Sequence, residues 1–459
     1  MAFSSFLSLP KSAAICILLF LLFAPGGDAT GCYESIISFG DSLADTGNLI
    51  RMSDSINISA LLPYGETFFH RPTGRFSDGR LIIDFIAQSL GLPFLRPYFS
   101  AEDDGGEEIN FEKGVNFAVA GATALDISFF EEWGIYNPMT NTSLGTQLDW
   151  FHESFCSNTH SADCKEKLQS SLVMMGEIGG NDYNYAFMQD IPREEISSFV
   201  PKIISTIRSA ITKLIEFGAQ SVAVPGNFPI GCLPVYLFLF KSSNQSEYDS
   251  KTGCINWLNE FSMYHNEQLK RELSRLRELH PNTTIIYADY YNAALDLYIS
   301  PSNYGFNNTL SPCMLSKSTV CDDPSSFVNW DGIHFTEAAY EAIAQGLLHG
   351  PYTSPNVYEF CILKGSRETW NMVGRDPGLK FRHANAIFAI NTNSSASCFP
   401  GLESRGSNTS FKTTSFWVSD NEDGDEMDAT SSPGCRPIIT SKTTTPKLNT
   451  SHFSFTSIV

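Results

Sequence analysis

Short apolar segments alternate with longer amphipathic segments between about residues 35 and 352. The apolar segments are only a few residues long and are followed by glycine or polar residues, which is typical of buried strands. The pattern predicts five strands, at Ser35–Phe39, Val115–Val119, Leu172–Glu177, Ser221–Val224 and Thr284–Asp289.

The segments between these strands have the apolar spacing of helices. In Arg80–Leu90 the apolar residues at 81, 82, 85, 86 and 90 have this spacing, and Gly91 follows. Strands that alternate with helices predict an α/β protein, in which a parallel sheet is covered by helices on both faces. A site is then expected beyond the carboxyl ends of the strands. The other predicted helices are Glu194–Phe217, Ile255–Leu279 and Thr336–Leu348.

The two ends of the chain have a different pattern. Lys11 precedes an apolar run, 13–23, which is short for a membrane span and is followed by small residues. This predicts a cleaved signal peptide at 1–29, and a secreted protein without a stable membrane anchor. Residues 361–459 are rich in Ser, Thr and Asn and lack periodicity, so that we predict a disordered tail there. One domain, 30–360, remains.

Charge and sequons narrow the class of protein. The formal net charge is −20, which argues against binding to nucleic acids, whose phosphates need a basic surface, and disfavours binding to anionic membranes. Asn-x-Ser/Thr sequons agree with secretion and predict N-glycans. They occur at Asn57, Asn141, Asn244, Asn282, Asn307, Asn393, Asn408 and Asn449.

The chain has eleven cysteines, of which Cys16 leaves with the signal peptide. In an oxidising compartment, cysteines that are close in sequence can form local bridges. Spacing does not fix the pairing, and buried free thiols stay an alternative. Neither a CxxC nor a HExxH motif occurs, so that no zinc site is predicted. The close pairs are Cys156/Cys164, Cys232/Cys254 and Cys313/Cys321.

Four short blocks place reactive residue types at the ends of the predicted elements. Ser42 follows the first strand in FGDSLADTGN, and Gly121 follows the second in VNFAVAGAT. Asn181 follows the third strand in GEIGGND, and Asp331 and His334 precede the last helix in WDGIH. If the sheet is parallel, the first three blocks lie along one edge.

These residue types suit nucleophilic catalysis. A serine hydroxyl needs a base, and His334 can supply one because free imidazole titrates near pH ~6.5. Asp331, three residues earlier, can accept a hydrogen bond from Nδ1 of His334 and leave Nε2 for Ser42. The N–H groups of Ser42 and Gly121 and the amide of Asn181 are suitable donors to an oxyanion.

Each block has a simpler structural interpretation when it is taken alone. Ser42 lies in a sequence typical of a turn, Gly121 in one where the backbone requires glycine, and Asn181 in another turn. Asp331 alone could cap the last helix, with His334 exposed. Only the joint occurrence, in order and at strand ends, favours catalysis.

Other polar residues in the first block are expected to be structural. Asp45, Gly47 and Asn48 are predicted to shape the turn after the strand and to cap the first helix. Trp330, beside the DGIH motif, is predicted to be a packing residue. An α/β-hydrolase of the nucleophile-elbow type is disfavoured, because Ala44 stands where that motif requires glycine.

Together the blocks FGDSLADTGN, VNFAVAGAT, GGND and WDGIH resemble those of the plant GDSL esterase/lipase family, within the SGNH hydrolase superfamily. The segment from Tyr64 to Pro93 resembles the plant family even more specifically than the four blocks do. The resemblance covers roughly residues 35–355. It implies a flavodoxin-like three-layer α/β/α fold with Ser42 as nucleophile. Gly121 and Asn181 would belong to the oxyanion hole, and Asp331 and His334 would complete the triad.

The resemblance also implies an activity. We expect a secreted esterase or lipase that cleaves a small-molecule or lipid carboxylic ester without a cofactor. The most similar subgroup acts on sinapine-type or acetylated alkaloid esters. Two alternatives remain: an acyltransferase with the same triad, and a catalytically inactive secreted binding glycoprotein. The second rests on the segment Asn303–Asp323, which is shorter than the Gly- and Cys-rich segment usual in this family.

Overall fold

The computed structural model of the chain describes residues 32–53, 57–100, 111–156 and 161–355. The predicted signal peptide, 1–29, and the predicted tail, 361–459, lie outside the described residues. The sequons at Asn393, Asn408 and Asn449 lie outside them as well.

Six of the strands in the described chain form one central sheet, in the order β10-β5-β4-β3-β1-β2. β1 to β5 are parallel, and each lies at one of the predicted strand positions. β10 is antiparallel to β5 and was not predicted. In chain order the strands are β1 Ser35–Ser38, β2 Gly114–Asn116, β3 Ser171–Met174, β4 Ser221–Pro225, β5 Thr284–Ala288, β6 Asn308–Pro312, β7 Met314–Ser316, β8 Thr319–Val320, β9 Phe327–Asn329 and β10 Thr353–Ser354.

Twelve α-helices lie in the described residues, and all four predicted helices are among them. The prediction was wrong in one respect, since 194–217 forms two helices. Pro201 lacks the N–H that a continuous helix would donate to the carbonyl four residues earlier. The helices are α1 Leu49–Met52, α2 Ile82–Ser89, α3 Ile127–Glu132, α4 Leu144–Phe151, α5 Ser161–Ser170, α6 Gly180–Met188, α7 Arg193–Ser197, α8 Val200–Phe217, α9 Pro234–Leu239, α10 Asn256–Leu279, α11 Tyr290–Ile299 and α12 Glu337–His349.

The direction of the crossovers places helices on both faces of the sheet. From β1 the chain moves outward to β2, then returns past β1 to β3, β4 and β5. Right-handed crossovers therefore put α2 on one face and α4, α8 and α10 on the other. The packing agrees, because α8 contacts α10 and α4, whereas α12 contacts α2 and α11.

The strand order 2-1-3-4-5 is that of flavodoxin-like folds, so that the predicted fold class is confirmed. Its direction reverses between β1 and β3, and ligands of such sheets bind beyond the carboxyl ends of the strands at that point. Ser42 follows β1 and Asn181 follows β3. The topology therefore brings the first and third sequence blocks to one crevice. Among the described helices, none is long and apolar enough to cross a membrane.

Three disulfide bonds join the cysteine pairs that are close in sequence. They connect Cys156 with Cys164, Cys232 with Cys254, and Cys313 with Cys321. The last of these closes the hairpin of β7 and β8, which lies in the shortened segment before Asp331.

Asp45 organises the turn after β1. Its side chain is fully buried, and its two oxygens accept the N–H groups of Gly47, Asn48, Leu49 and Ala120 at 2.6–3.0 Å. The first three bonds fix the start of α1, as predicted for Asp45. Asn48 was predicted to cap this helix as well, but its side chain makes no capping bond and donates instead to the carbonyls of Asn116 and Ala118. The fourth bond of Asp45 ties this turn to the residue before Gly121, so that Asp45 holds two of the sequence blocks together.

Asp45→Ala should therefore lower the free energy of unfolding by about 3 kcal/mol or more, since four buried N–H groups lose their acceptor. Urea unfolding followed by fluorescence measures this. Asp249 is the matched control, because it accepts the N–H groups of Lys251 and Thr252 in an exposed turn where water can replace it. An effect of Asp45→Ala no larger than that of Asp249→Ala would contradict the assignment.

Candidate active site

The loop that carries Ser42 is held by contacts on both sides. Gly40 has φ of 134°, and its N–H and carbonyl are hydrogen-bonded to the side chain of Gln147 at 2.9 and 2.8 Å. A Cβ at Gly40 would meet the carbonyl oxygen of Glu177 at 3.0 Å. Both the backbone conformation and this close approach require glycine before the serine. Ser42 is buried, with 8% of its surface exposed.

His334 lies between Ser42 and Asp331. Its Nε2 is 2.8 Å from Ser42 Oγ, and its Nδ1 is 2.8 Å from Oδ2 of Asp331. Because Nδ1 faces a carboxylate, it carries the ring proton, which leaves Nε2 to accept the hydroxyl proton of Ser42. The structure thus brings together three residues that the sequence separates by up to 292 positions.

Asp331 also shapes the turn in which it lies. Its Oδ1 accepts the N–H groups of Ile333 and His334, each at 2.8 Å. Burial acts to raise the pKa of the Asp331 carboxyl. The charge and hydrogen bonds of His334, with the N–H of Ile333, outweigh burial and lower this pKa below its usual value. Asp331 is therefore an ionised partner for the imidazole.

The segment before Asp331, which was predicted to be shorter than is usual in the family, does not displace this pair. Its disulfide-closed hairpin donates the N–H of Cys313 to the carbonyl of Asn329 and that of Met314 to the carbonyl of Trp330, at 2.9 and 2.7 Å. These bonds fix the strand that leads directly into Asp331. The segment therefore supports the turn that carries Asp331 and His334, which weakens the argument for an inactive fold.

Two aromatic residues that were not predicted complete the surroundings of the pair. Tyr64 donates its hydroxyl to Oδ2 of Asp331 at 2.9 Å. The ring of Phe76 lies against His334, with 4.7 Å between the ring centroids. Both residues lie in the segment from Tyr64 to Pro93 that resembles the plant family. The sequence pattern of that segment did not predict a role for either of them. Trp330 packs edge-on against Tyr64 and is fully buried, as a packing residue should be.

Asn181 and Gly121 are neighbours on the other side of Ser42. Nδ2 of Asn181 donates to the carbonyl of Ala122 at 3.0 Å and to Oδ2 of Asp41 at 3.1 Å. Gly121 has φ of 81°, and a Cβ there would meet Met139 at 2.4 Å, so that only glycine fits. Within the described residues, the N–H groups of Ser42 and Gly121 donate to no other atom. Both are available to a ligand.

Asp182 connects the second and third blocks. Its oxygens accept the N–H groups of Ala124 and Leu125 at 2.8 and 3.0 Å, which ties the start of α6 to the loop after Gly121. Burial raises the pKa of Asp182 to about 7, although these two hydrogen bonds oppose the increase. The loops that carry Gly121 and Asn181 are thus held in one arrangement.

The cleft at Ser42 has a mainly apolar wall with a few polar groups. Asn184 and Asn227 are the polar residues farthest from the serine in sequence. Nδ2 of Asn227 is buried and has no hydrogen-bond partner in the described chain. The backbone N–H and carbonyl of Asn227 are both hydrogen-bonded to the side chain of Asn266. No sequence pattern pointed to Asn227. The apolar residues of the wall are Leu43, Phe228, Ile230, Leu233, Ile333 and Phe335.

The chain belongs to the GDSL-like lipase/acylhydrolase family, whose model matches residues 36–347. It is 52% identical over 358 residues to a GDSL esterase/lipase of Arabidopsis thaliana, which covers 74% of this chain and 91% of the relative. Another from the same plant is 54% identical over 342 residues, covering 70% and 85%. The predicted resemblance is confirmed, and the chain is a carboxylic ester hydrolase.

A sinapine esterase of Brassica napus is 49% identical over 351 residues, which covers 72% of this chain and 89% of that protein. Among solved structures, a mutant acetyl-xylooligosaccharide esterase from Geobacillus matches 70% of this chain and 95% of its own. Its sequence identity is 14% and its TM-score is 0.32.

The lowered pKa of Asp331 gives a prediction for stability. A group whose pKa is lower in the folded than in the unfolded protein stabilises the fold above its unfolded value, near pH ~3.9 for Asp. This stabilisation is lost as the pH falls through the folded value. Asp331→Asn should therefore lose more stability, relative to wild type, at pH 6 than at pH 2. Urea unfolding at a series of pH values tests this, and a difference independent of pH would contradict it.

Proposed function

We propose that this chain is a secreted serine esterase that hydrolyses carboxylic esters through an acyl-enzyme on Ser42. The observation that carries the proposal is the distance of 2.8 Å between Nε2 of His334 and Oγ of Ser42, with Asp331 on the opposite ring nitrogen. A buried serine, an imidazole and a carboxylate in this order form the arrangement that activates a serine nucleophile.

In the proposed reaction, Oγ of Ser42 attacks the ester carbonyl carbon while Nε2 of His334 takes the hydroxyl proton. The tetrahedral intermediate collapses, the bond to the leaving oxygen breaks, and His334 gives its proton to the departing alcohol. Water then attacks the acyl-enzyme, with His334 again as base, and releases the acid and free Ser42. The ionised Asp331 stabilises the imidazolium that forms in each half of the reaction.

The negative oxygen of the intermediate needs donors that are directed at it before the reaction begins. We assign this role to the N–H groups of Ser42 and Gly121 and to the amide of Asn181. The first two donate to no described atom. Asn181 gives its protons to Ala122 and Asp41, so that the oxyanion must share one of them. Loss of one such donor reduces turnover on the order of 10²–10³-fold in other enzymes.

The wall of the cleft supports an ester with an apolar group near the carbonyl. Leu233 and Ile333 are two of its apolar residues. The amide nitrogen of Asn227, which has no hydrogen-bond partner in the described chain, can donate to a polar substituent. A relative that is 49% identical is a sinapine esterase. We therefore infer that sinapine-type esters are the first substrates to test.

Four sequons support passage through the secretory pathway. Asn141, Asn244, Asn282 and Asn307 are all exposed, so that a glycan can be attached without unfolding. Asn57 is half-buried, and its side-chain oxygen accepts two hydrogen bonds from Ser59. We infer N-glycans at the four exposed sequons.

Ser42→Ala should reduce kcat for a short p-nitrophenyl ester on the order of 10⁴-fold or more, because no other described group replaces the nucleophile. The circular dichroism spectrum and Tm should stay those of wild type. Labelling by a fluorophosphonate probe, read by mass spectrometry, should also disappear.

Ser198→Ala is the matched control, since Ser198 is an exposed serine that does not line the cleft. It should keep both labelling and turnover. Full turnover by folded Ser42→Ala would contradict the nucleophile assignment, and no labelling of folded wild type would favour the inactive binding protein.

Enzymatic removal of N-glycans from protein secreted by a plant or other eukaryotic host should lower its mass. Substituting each of Asn141, Asn244, Asn282 and Asn307 by Gln should remove one discrete mass step. Asn303→Gln serves as the control, because Asn303 is exposed but is not part of a sequon. An unchanged mass after deglycosylation would contradict the assignment.

A further inference from the structure

We propose that Glu177 is a positioning residue for the reaction, and that its carboxyl group donates a hydrogen bond to Asp41 and thereby fixes the amide of Asn181 in the oxyanion hole. This inference rests on the proposed function for the roles of Ser42 and Asn181. Glu177 lies in the third sequence block, GEIGGND, but no pattern assigned it a role.

Asp41 and Glu177 meet where the loops after β1 and β3 touch. The N–H of Asp41 donates to the carbonyl of Glu177 at 3.0 Å, both residues line the cleft at Ser42, and each carboxyl group shifts the pKa of the other. Only 2% of Asp41 and 4% of Glu177 is exposed. Two buried carboxyl groups that lie side by side oppose each other's ionisation.

The charges around the pair place the proton on Glu177. Burial raises the pKa of Glu177 well above its usual value, and the negative charges of Asp41 and Asp182 raise it further. Burial also raises the pKa of Asp41, but the hydrogen bond from Glu177, the N–H of Leu43 and the charge of His334 oppose that increase. Asp41 is thus the carboxylate and Glu177 the acid.

Each remaining hydrogen bond agrees with this assignment. The carboxyl group of Glu177 lies against Gly180, where a Cβ would meet its two oxygens at 2.7 and 2.9 Å, so that its O–H is free to donate to Asp41. Asp41 accepts the N–H of Leu43 at Oδ1, 3.0 Å away, and Nδ2 of Asn181 at Oδ2, 3.1 Å away. The carboxylate therefore uses one oxygen for the serine loop and the other for the oxyanion donor.

The other end of the Asn181 amide is held as well. Its oxygen accepts Nδ2 of Asn184 at 3.4 Å, and Asn184 in turn accepts the hydroxyl of Tyr236 at 2.5 Å. The amide is thus oriented with its N–H groups toward Asp41 and Ala122. Ionisation of Glu177 would place a second buried carboxylate beside the developing oxyanion and oppose its negative charge.

The test compares Glu177→Gln with Glu177→Met, using kcat per active site titrated with a fluorophosphonate. Gln keeps a donor to Asp41 without carrying a proton that can be lost. It should retain kcat within about threefold. Met lacks the donor and should lower kcat tenfold or more, with KM within twofold.

The same two substitutions of Glu177 are then introduced into the Asn181→Ala variant, to give two double variants. If Glu177 acts through Asn181, Glu177→Met should lower kcat less than twofold further in that background. Independent, multiplying effects would overturn the proposal, and so would equal losses for Gln and Met. A smaller fraction of active sites that react with the fluorophosphonate, at constant kcat per active site, would show a purely structural role and overturn the proposal too. Unchanged kcat in Asn181→Ala alone would instead count against the proposed oxyanion hole.

Discussion

The contact between His334 and Ser42 depends on the entire sheet. Ser42 stands at the end of the first strand, whereas His334 belongs to the turn before the last helix, and their 2.8 Å contact joins positions 292 residues apart. Nothing local brings the two together. The reversal of strand order between β1 and β3 opens the crevice, and the packing of α12 against α2 returns the end of the domain to it.

Buried carboxyl groups organise the loops around that contact. Asp45 ties the serine loop to the residue before Gly121, and Asp182 ties the loop after Gly121 to the helix of Asn181. Asp331 shapes the turn that presents His334. Each accepts backbone N–H groups at the end of a sheet where parallel strands leave such groups without partners.

The strands, the fold class and the grouping of Ser42 with Asn181 could be predicted, because strand periodicity and parallel topology determine which loops share an edge. His334 was assigned to the same site by its chemistry and by the resemblance to the plant family. The roles of Tyr64 and Phe76 could not, since their contacts with the Asp331–His334 pair depend on side-chain packing across the fold. β10 was missed because an edge strand of two residues has no periodicity. The division of a predicted helix at Pro201 was foreseeable from its missing N–H.

The most direct measurement of the central claim is a crystal structure of the protein after reaction with a fluorophosphonate. The account predicts a covalent bond from phosphorus to Oγ of Ser42, with the phosphoryl oxygen 2.7–3.1 Å from the N–H groups of Ser42 and Gly121 and from Nδ2 of Asn181. A phosphonate attached elsewhere, or a phosphoryl oxygen that faces away from these donors, would contradict it.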